Sequence, residues 1–81
     1  MKKTNQNIVY KYFQKEFGDY KVLVQVNPYD YTGLELIVHP DGKLEKTEIE
    51  ADEDIYEDLA HDKFEETNAL TFNLVLKGLV K

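Results

Sequence analysis

Asp54, Asp58 and His61 stand four and three residues apart, with Glu57 and Glu65 close by. On a helix that spacing sets two carboxylates and an imidazole along one side, the donor types that a divalent metal takes. A single helix supplies only half of a coordination sphere, however, and a His near a helix C-terminus is already favoured by the dipole. A calcium loop opening at Asp52 also fails, because Glu57 stands where glycine is required and Lys63 where the bidentate Glu belongs. A carboxylate and histidine site for a divalent metal is therefore the alternative reading. No residue is assigned as a metal ligand, and no cofactor is expected.

The same carboxylates carry the favoured reading. Residues 45–66 hold eleven Asp or Glu against two Lys, a charge of −9, whereas the rest of the chain holds five acids and eight Lys, +3. The whole net charge of −6 thus arises from one segment. A row of carboxylates raises a negative field that speeds association with a basic protein. Asp54, Glu57, Asp58, Asp62 and Glu65 are the candidate contacts. The plainer account of the same residues is the solvated back of an amphipathic helix, which keeps a small protein soluble.

A second candidate is the loop Asn27-Pro28-Tyr29-Asp30-Tyr31-Thr32-Gly33. Tyr29 and Tyr31 bring large contact area with a polar tip at small entropy cost, as recognition loops do. Alternatively, Asn27 and Asp30 form side-chain turns while one tyrosine caps the end of the core.

Catalysis is hard to assemble from what remains. The chain has no Cys, Ser, Arg or Trp, which removes thiolate and serine nucleophiles, disulfides, thiolate metal sites and the guanidinium fork. His39 and His61 have no hydroxyl or thiol neighbour, and no glycine-rich phosphate loop is present. The chain is read as not an enzyme. Without a basic stripe, direct nucleic-acid binding is disfavoured too.

These residues need elements to position them. Tyr20, Val22, Val24 and Val26 alternate with Lys21, Leu23 and Gln25, which predicts a strand over 20–27 ended by Pro28. Leu34, Leu36 and Val38 predict a strand over 34–39, and His39-Pro40-Asp41-Gly42 closes a hairpin onto a third strand over 43–50. The Lys and Glu residues of that third strand suit an edge that must not pair with another molecule. Over 52–64 the period changes to helical, with Asp52 as N-cap and Ile55, Tyr56, Leu59 and Ala60 on the inner arc. Leu70, Phe72, Leu74 and Leu76 alternate with Thr71, Asn73, Val75 and Lys77, which predicts a central strand over 69–77 ended by Gly78. Leu79-Val80-Lys81 reads as a tail.

Residues 5–17 fit two patterns. As a helix, Ile8, Val9, Tyr12, Phe13 and Phe17 share a face and Gly18 is the C-terminal cap. As a strand, Gly18-Asp19 is a hairpin turn, but Lys15 then opposes Val22 and Lys11 opposes Val26 on the apolar face. The helix is preferred on that ground.

The resulting expectation is a single small α+β domain over residues 1–81, an antiparallel β-sheet of three to four strands with one or two helices packed on one face. Its core is Ile8, Tyr12, Phe13, Val22, Val24, Val26, Leu34, Leu36, Val38, Ile55, Leu59, Leu70, Phe72, Leu74 and Leu76. Met1-Lys2-Lys3 resembles the start of a signal peptide, but Thr4-Asn5-Gln6-Asn7 follows where an apolar run is needed. No stretch has the apolar length of a membrane span. A cytoplasmic monomer or weak homodimer is the expected form.

Overall fold

The computed structural model describes residues 8–78. Residues 5–7 of the ambiguous segment, the basic start and the tail Leu79-Val80-Lys81 lie outside them. In chain order the elements are β1 (Lys11–Glu16), β2 (Lys21–Val26), β3 (Thr32–Val38), β4 (Leu44–Glu50), α1 (Ile55–His61), β5 (Glu65–Glu66) and α2 (Ala69–Leu76). The five strands form one antiparallel sheet in the order β4-β3-β2-β1-β5, an α+β architecture with one strand more than expected.

The first correction concerns residues 5–17, whose described part forms strand β1 and not a helix. Gly18 takes φ +89° and Phe17 N–H donates to the Tyr20 carbonyl, so Gly18-Asp19 is the hairpin turn. The register pairs Lys11 with Val26 and Lys15 with Val22, the juxtaposition that told against a strand. Lysine accommodates it by running its alkyl stem along apolar surface and carrying the ammonium outward. Lys15 Nζ donates to the Asp62 carbonyl at 2.6 Å and lies 4.7 Å from the centre of the Phe17 ring. There it neutralises the negative end of α1, a favourable place for a cation.

The second correction concerns 69–77, which form helix α2 and not a central strand. Asn68 caps its N-terminus, its Oδ1 accepting from Thr71 N–H at 2.8 Å. At the other end Gly78, φ +76°, donates to the Val75 carbonyl in the left-handed conformation that closes helices. Between these caps six of the eight residues are apolar, so a period of 3.6 accommodates them as well as the period of two set by Thr71 and Asn73. The helical phase buries Phe72 and Val75 and leaves Leu70 69% exposed.

With α2 in place, the sheet is covered on both faces and not on one. Leu23, Leu36 and Val38 pack with Phe72 and Val75 on the α2 side, joined by Tyr12, Leu34, Leu44 and Leu76. Val22, Val24 and Val26 pack with Leu59 on the α1 side, joined by Phe13, Tyr31, Ile37, Ile49, Ile55, Tyr56 and Phe64. Of the expected core, Ile8 and Leu70 are exposed; the others are buried or half-buried. Full burial of a side chain such as Phe72 or Leu23 contributes about 1.5–3 kcal/mol each.

Helix α1 is shorter than 52–64. Asp52 does not cap it: its Oδ1 accepts from Asp54 N–H in a local turn, and Asp54 is the N-cap without a side-chain bond. Lys63 N–H and Phe64 N–H donate to the carbonyls of Ala60 and Leu59, the paired bonds of a helix-closing Schellman turn. That turn puts Lys63 at φ +66°, where glycine is the usual residue. The chain then reaches β5 at the sheet edge opposite β4, so α1 spans one face and α2 returns across the other. No helix among the described residues is long and apolar enough to cross a membrane.

Two substitutions probe this geometry by urea unfolding. Lys63→Gly relieves the left-handed residue and is expected to stabilise by about 0.5–1 kcal/mol. Gly33→Ala is expected to destabilise by about 2 kcal/mol or more, since its Cβ would collide with the Gln25 backbone carbonyl.

Candidate functional site

The acidic residues lie on the outer side of α1 and on the adjoining edge strand. Asp54 caps the helix, Glu57 and Asp58 occupy its first turn, Asp62 is its C-cap and Glu65 belongs to β5. All five are exposed. They are positioned because Leu59, Ile55 and Tyr56 turn inward onto the valines of β2, which forces the intervening carboxylates into water. Glu65 therefore differs from its expected place on the helix, although it remains at the surface. Among the described residues none of these carboxylates lies within ion-pair distance of a lysine, the ion pair found being His39 with Glu45.

The tyrosine loop abuts the same helix. Asn27 Oδ1 accepts from Tyr29 N–H at 2.8 Å, and Asp30 Oδ1 accepts from Thr32 N–H and Oγ1–H at 3.0 and 2.7 Å. The Thr32 hydroxyl first, and its amide second, hold the Asp30 carboxyl below the usual carboxylate range. Tyr31 adopts φ +62°, uncommon for an aromatic residue, fixed by Tyr31 N–H to the Asn27 carbonyl and Ala51 N–H to its own carbonyl. Its ring meets the Tyr56 ring edge-on at 6.1 Å, so Tyr31 is half-buried against α1. Tyr29 is 74% exposed. Tyr31 thus ties the loop to the inner side of α1, and Tyr29 stays at the surface.

The metal alternative finds no geometry of this kind. Among the described residues no three His, Asp or Glu side chains converge as a metal would need. Asp54, Asp58 and His61 are each exposed at one short helix, and among the described residues no further ligand joins them. His39 is engaged elsewhere, its Nε2 against Glu45 Oε1 across the β3-β4 hairpin.

One feature of the α1 face has no sequence signal of its own. Lys11, Phe13, Tyr56, Ala60, Phe64 and Glu66 line an open groove of about 510 Å³ between α1 and the β1-β5 edge. Its wall includes Tyr56, whose ring packs 6.0 Å from that of Phe13 and whose hydroxyl is buried without a hydrogen-bond partner among the described residues. Assigning residues 5–17 to a helix hid the groove, because only the strand register carries Lys11 and Phe13 to this face.

No protein-family model matches the chain, and no curated protein or solved structure is significantly similar to it.

Burial first, and the neighbouring Tyr31 second, push the Tyr56 hydroxyl above the usual tyrosine range. A folded-state value above the unfolded one leaves this contribution intact below about pH 10 and erodes it as pH rises further. Tyr56→Phe removes both the titration and the unpartnered hydroxyl. Thermal melting from pH 7 to 11 is expected to show it at least as stable as the parent at pH 7, with a shallower alkaline decline.

Proposed function

We propose that this protein is a non-catalytic interaction module that docks a basic protein through the outer face of α1 and the adjoining Tyr29 loop. The single observation that carries the reading is that Asp54, Glu57, Asp58, Asp62 and Glu65 are exposed together with no lysine in ion-pair reach among the described residues. Carboxylates left unneutralised on one surface attract a cationic partner at long range. Tyr29 supplies the short-range complement, because an exposed tyrosine ring accepts a lysine or arginine head group on its face. The strained backbone of Tyr31 supports the same reading: non-glycine residues in that conformation concentrate where a loop must be held in one shape.

In this reading the acids set the rate of encounter and Tyr29 contributes to the lifetime of the complex. Each exposed carboxylate taken alone is worth little, since an exposed ion pair contributes roughly 0–1 kcal/mol. The row of carboxylates acts as a field, not as a set of separate bonds. It follows that binding weakens steeply with ionic strength, as the Debye length contracts to about 8 Å at physiological salt.

The test is affinity capture from a native lysate at low salt, eluted in salt steps, with Glu57→Lys/Asp58→Lys/Asp62→Lys as control bait. A basic protein eluting at moderate salt, lost with the control bait and weakened by Tyr29→Ala, is the expected result. Retention of the same proteins by the control bait, or binding indifferent to salt, overturns the reading.

A further inference from the structure

The backbone of β4 faces solvent along one side. It is the edge of the sheet, and among the described residues no strand pairs with its outer side. Its register with β3 runs without interruption from Leu44 opposite Val38 to Glu50 opposite Thr32. The bonds that flank the ladder fix its phase: His39 N–H donates to the Lys43 carbonyl, and Ala51 N–H donates to the Tyr31 carbonyl. Odd-numbered residues of β4 therefore turn their amides and carbonyls toward β3. The even-numbered ones, Leu44, Lys46, Glu48 and Glu50, turn theirs outward.

We infer that β4 pairs with β4 of a second copy of this chain, antiparallel about a two-fold axis at Thr47, joining two sheets into one. The charge pattern selects this occupant. Antiparallel pairing matches outward-facing residues with each other, so a symmetric ladder must be centred on a residue and not between two. The register that overlaps all seven residues of the strand is centred on Thr47. It sets Lys46 directly opposite the partner's Glu48, twice by symmetry, and Thr47 opposite its own copy. Opposite charges and paired threonines are both favourable cross-strand neighbours. Centring on Lys46 sets it against its own copy, and centring on Glu48 sets Glu48 against its own copy while moving Lys46 opposite Glu50; each shift introduces a like-charge pair at the axis that the Thr47 register lacks.

The same charges that discourage foreign strands thus favour a second copy in the register centred on Thr47. Each chain carries −6 overall, so the copies repel at long range, and physiological salt screens that term more than the close Lys46 and Glu48 contact. A single seven-residue ladder buries little area, which makes the dimer weak and reversible. The inference is independent of the proposed docking function, since β4 and the outer face of α1 share no residue.

The experiment is sedimentation equilibrium of the full chain at about 150 mM salt, from micromolar to millimolar protein. It compares the parent with Lys46→Glu, Glu48→Lys and the exchanged double variant Lys46→Glu/Glu48→Lys. The parent is expected to dimerise with rising concentration. Each single variant should raise the dissociation constant at least tenfold, and the double variant should return it to within about threefold of the parent. These side chains are exposed, and circular dichroism melting checks that each variant stays folded. A parent that is monomeric throughout overturns the inference. So do single variants that dimerise as the parent does, or a double variant that fails to recover.

Discussion

Strand β2 is buried on both faces, with Val22, Val24 and Val26 under one helix and Leu23 under the other, and a strand of this kind must be covered twice. That constraint shapes the rest of the molecule. It demands a helix on each side of the sheet, which α1 and α2 supply from a short C-terminal stretch. It also demands that the chain pass around a sheet edge between them, which it does at β5. Because β2 is flanked by β1 and β3, the strands poorest in apolar side chains fall at the edges, where Lys and Glu on β4 and two Glu on β5 meet water.

The acidic surface follows from the same burial. Helix α1 is held by Leu59 with support from Ile55 and Tyr56, which leaves Glu57 and Asp58 turned to water. Its C-terminus is held separately, by Lys15 reaching the Asp62 carbonyl from β1. Tyr31 completes the arrangement by wedging the β2-β3 loop against Tyr56, which leaves Tyr29 free at the surface. The position of the proposed docking face is therefore a by-product of core packing.

Much of this was legible in the residues. The alternation over 20–27 and 34–39, the Pro40-Asp41-Gly42 turn and the helical phase of Ile55, Tyr56 and Leu59 each had one dominant pattern, and each element exists. Residues 69–76 had two patterns, because apolar side chains occupy nearly every position. The local signals there were Asn68 as N-cap and Gly78 as closing glycine, and these outweigh the alternation of leucines. Residues 11–16 were misassigned because lysine on an apolar face counts against a strand only if its head group is buried with it. Lys15 has a long stem and a helix terminus to reach, facts of tertiary structure that no local pattern contains. Two-sided coverage was hidden for the same reason: once 69–77 is taken as a strand, the chain has no second helix to place.

Helices α1 and α2 grip β2 from opposite faces. The most direct test is the set of nuclear Overhauser contacts between assigned side chains in solution. The expected result is contacts from the Phe72 ring to Leu23 and Leu36, contacts from the Leu59 methyls to Val22 and Val24, and helical shifts across Ala69–Leu76. Extended shifts over that segment, with cross-strand contacts from Phe72 and Leu74 to a neighbouring strand, would contradict it.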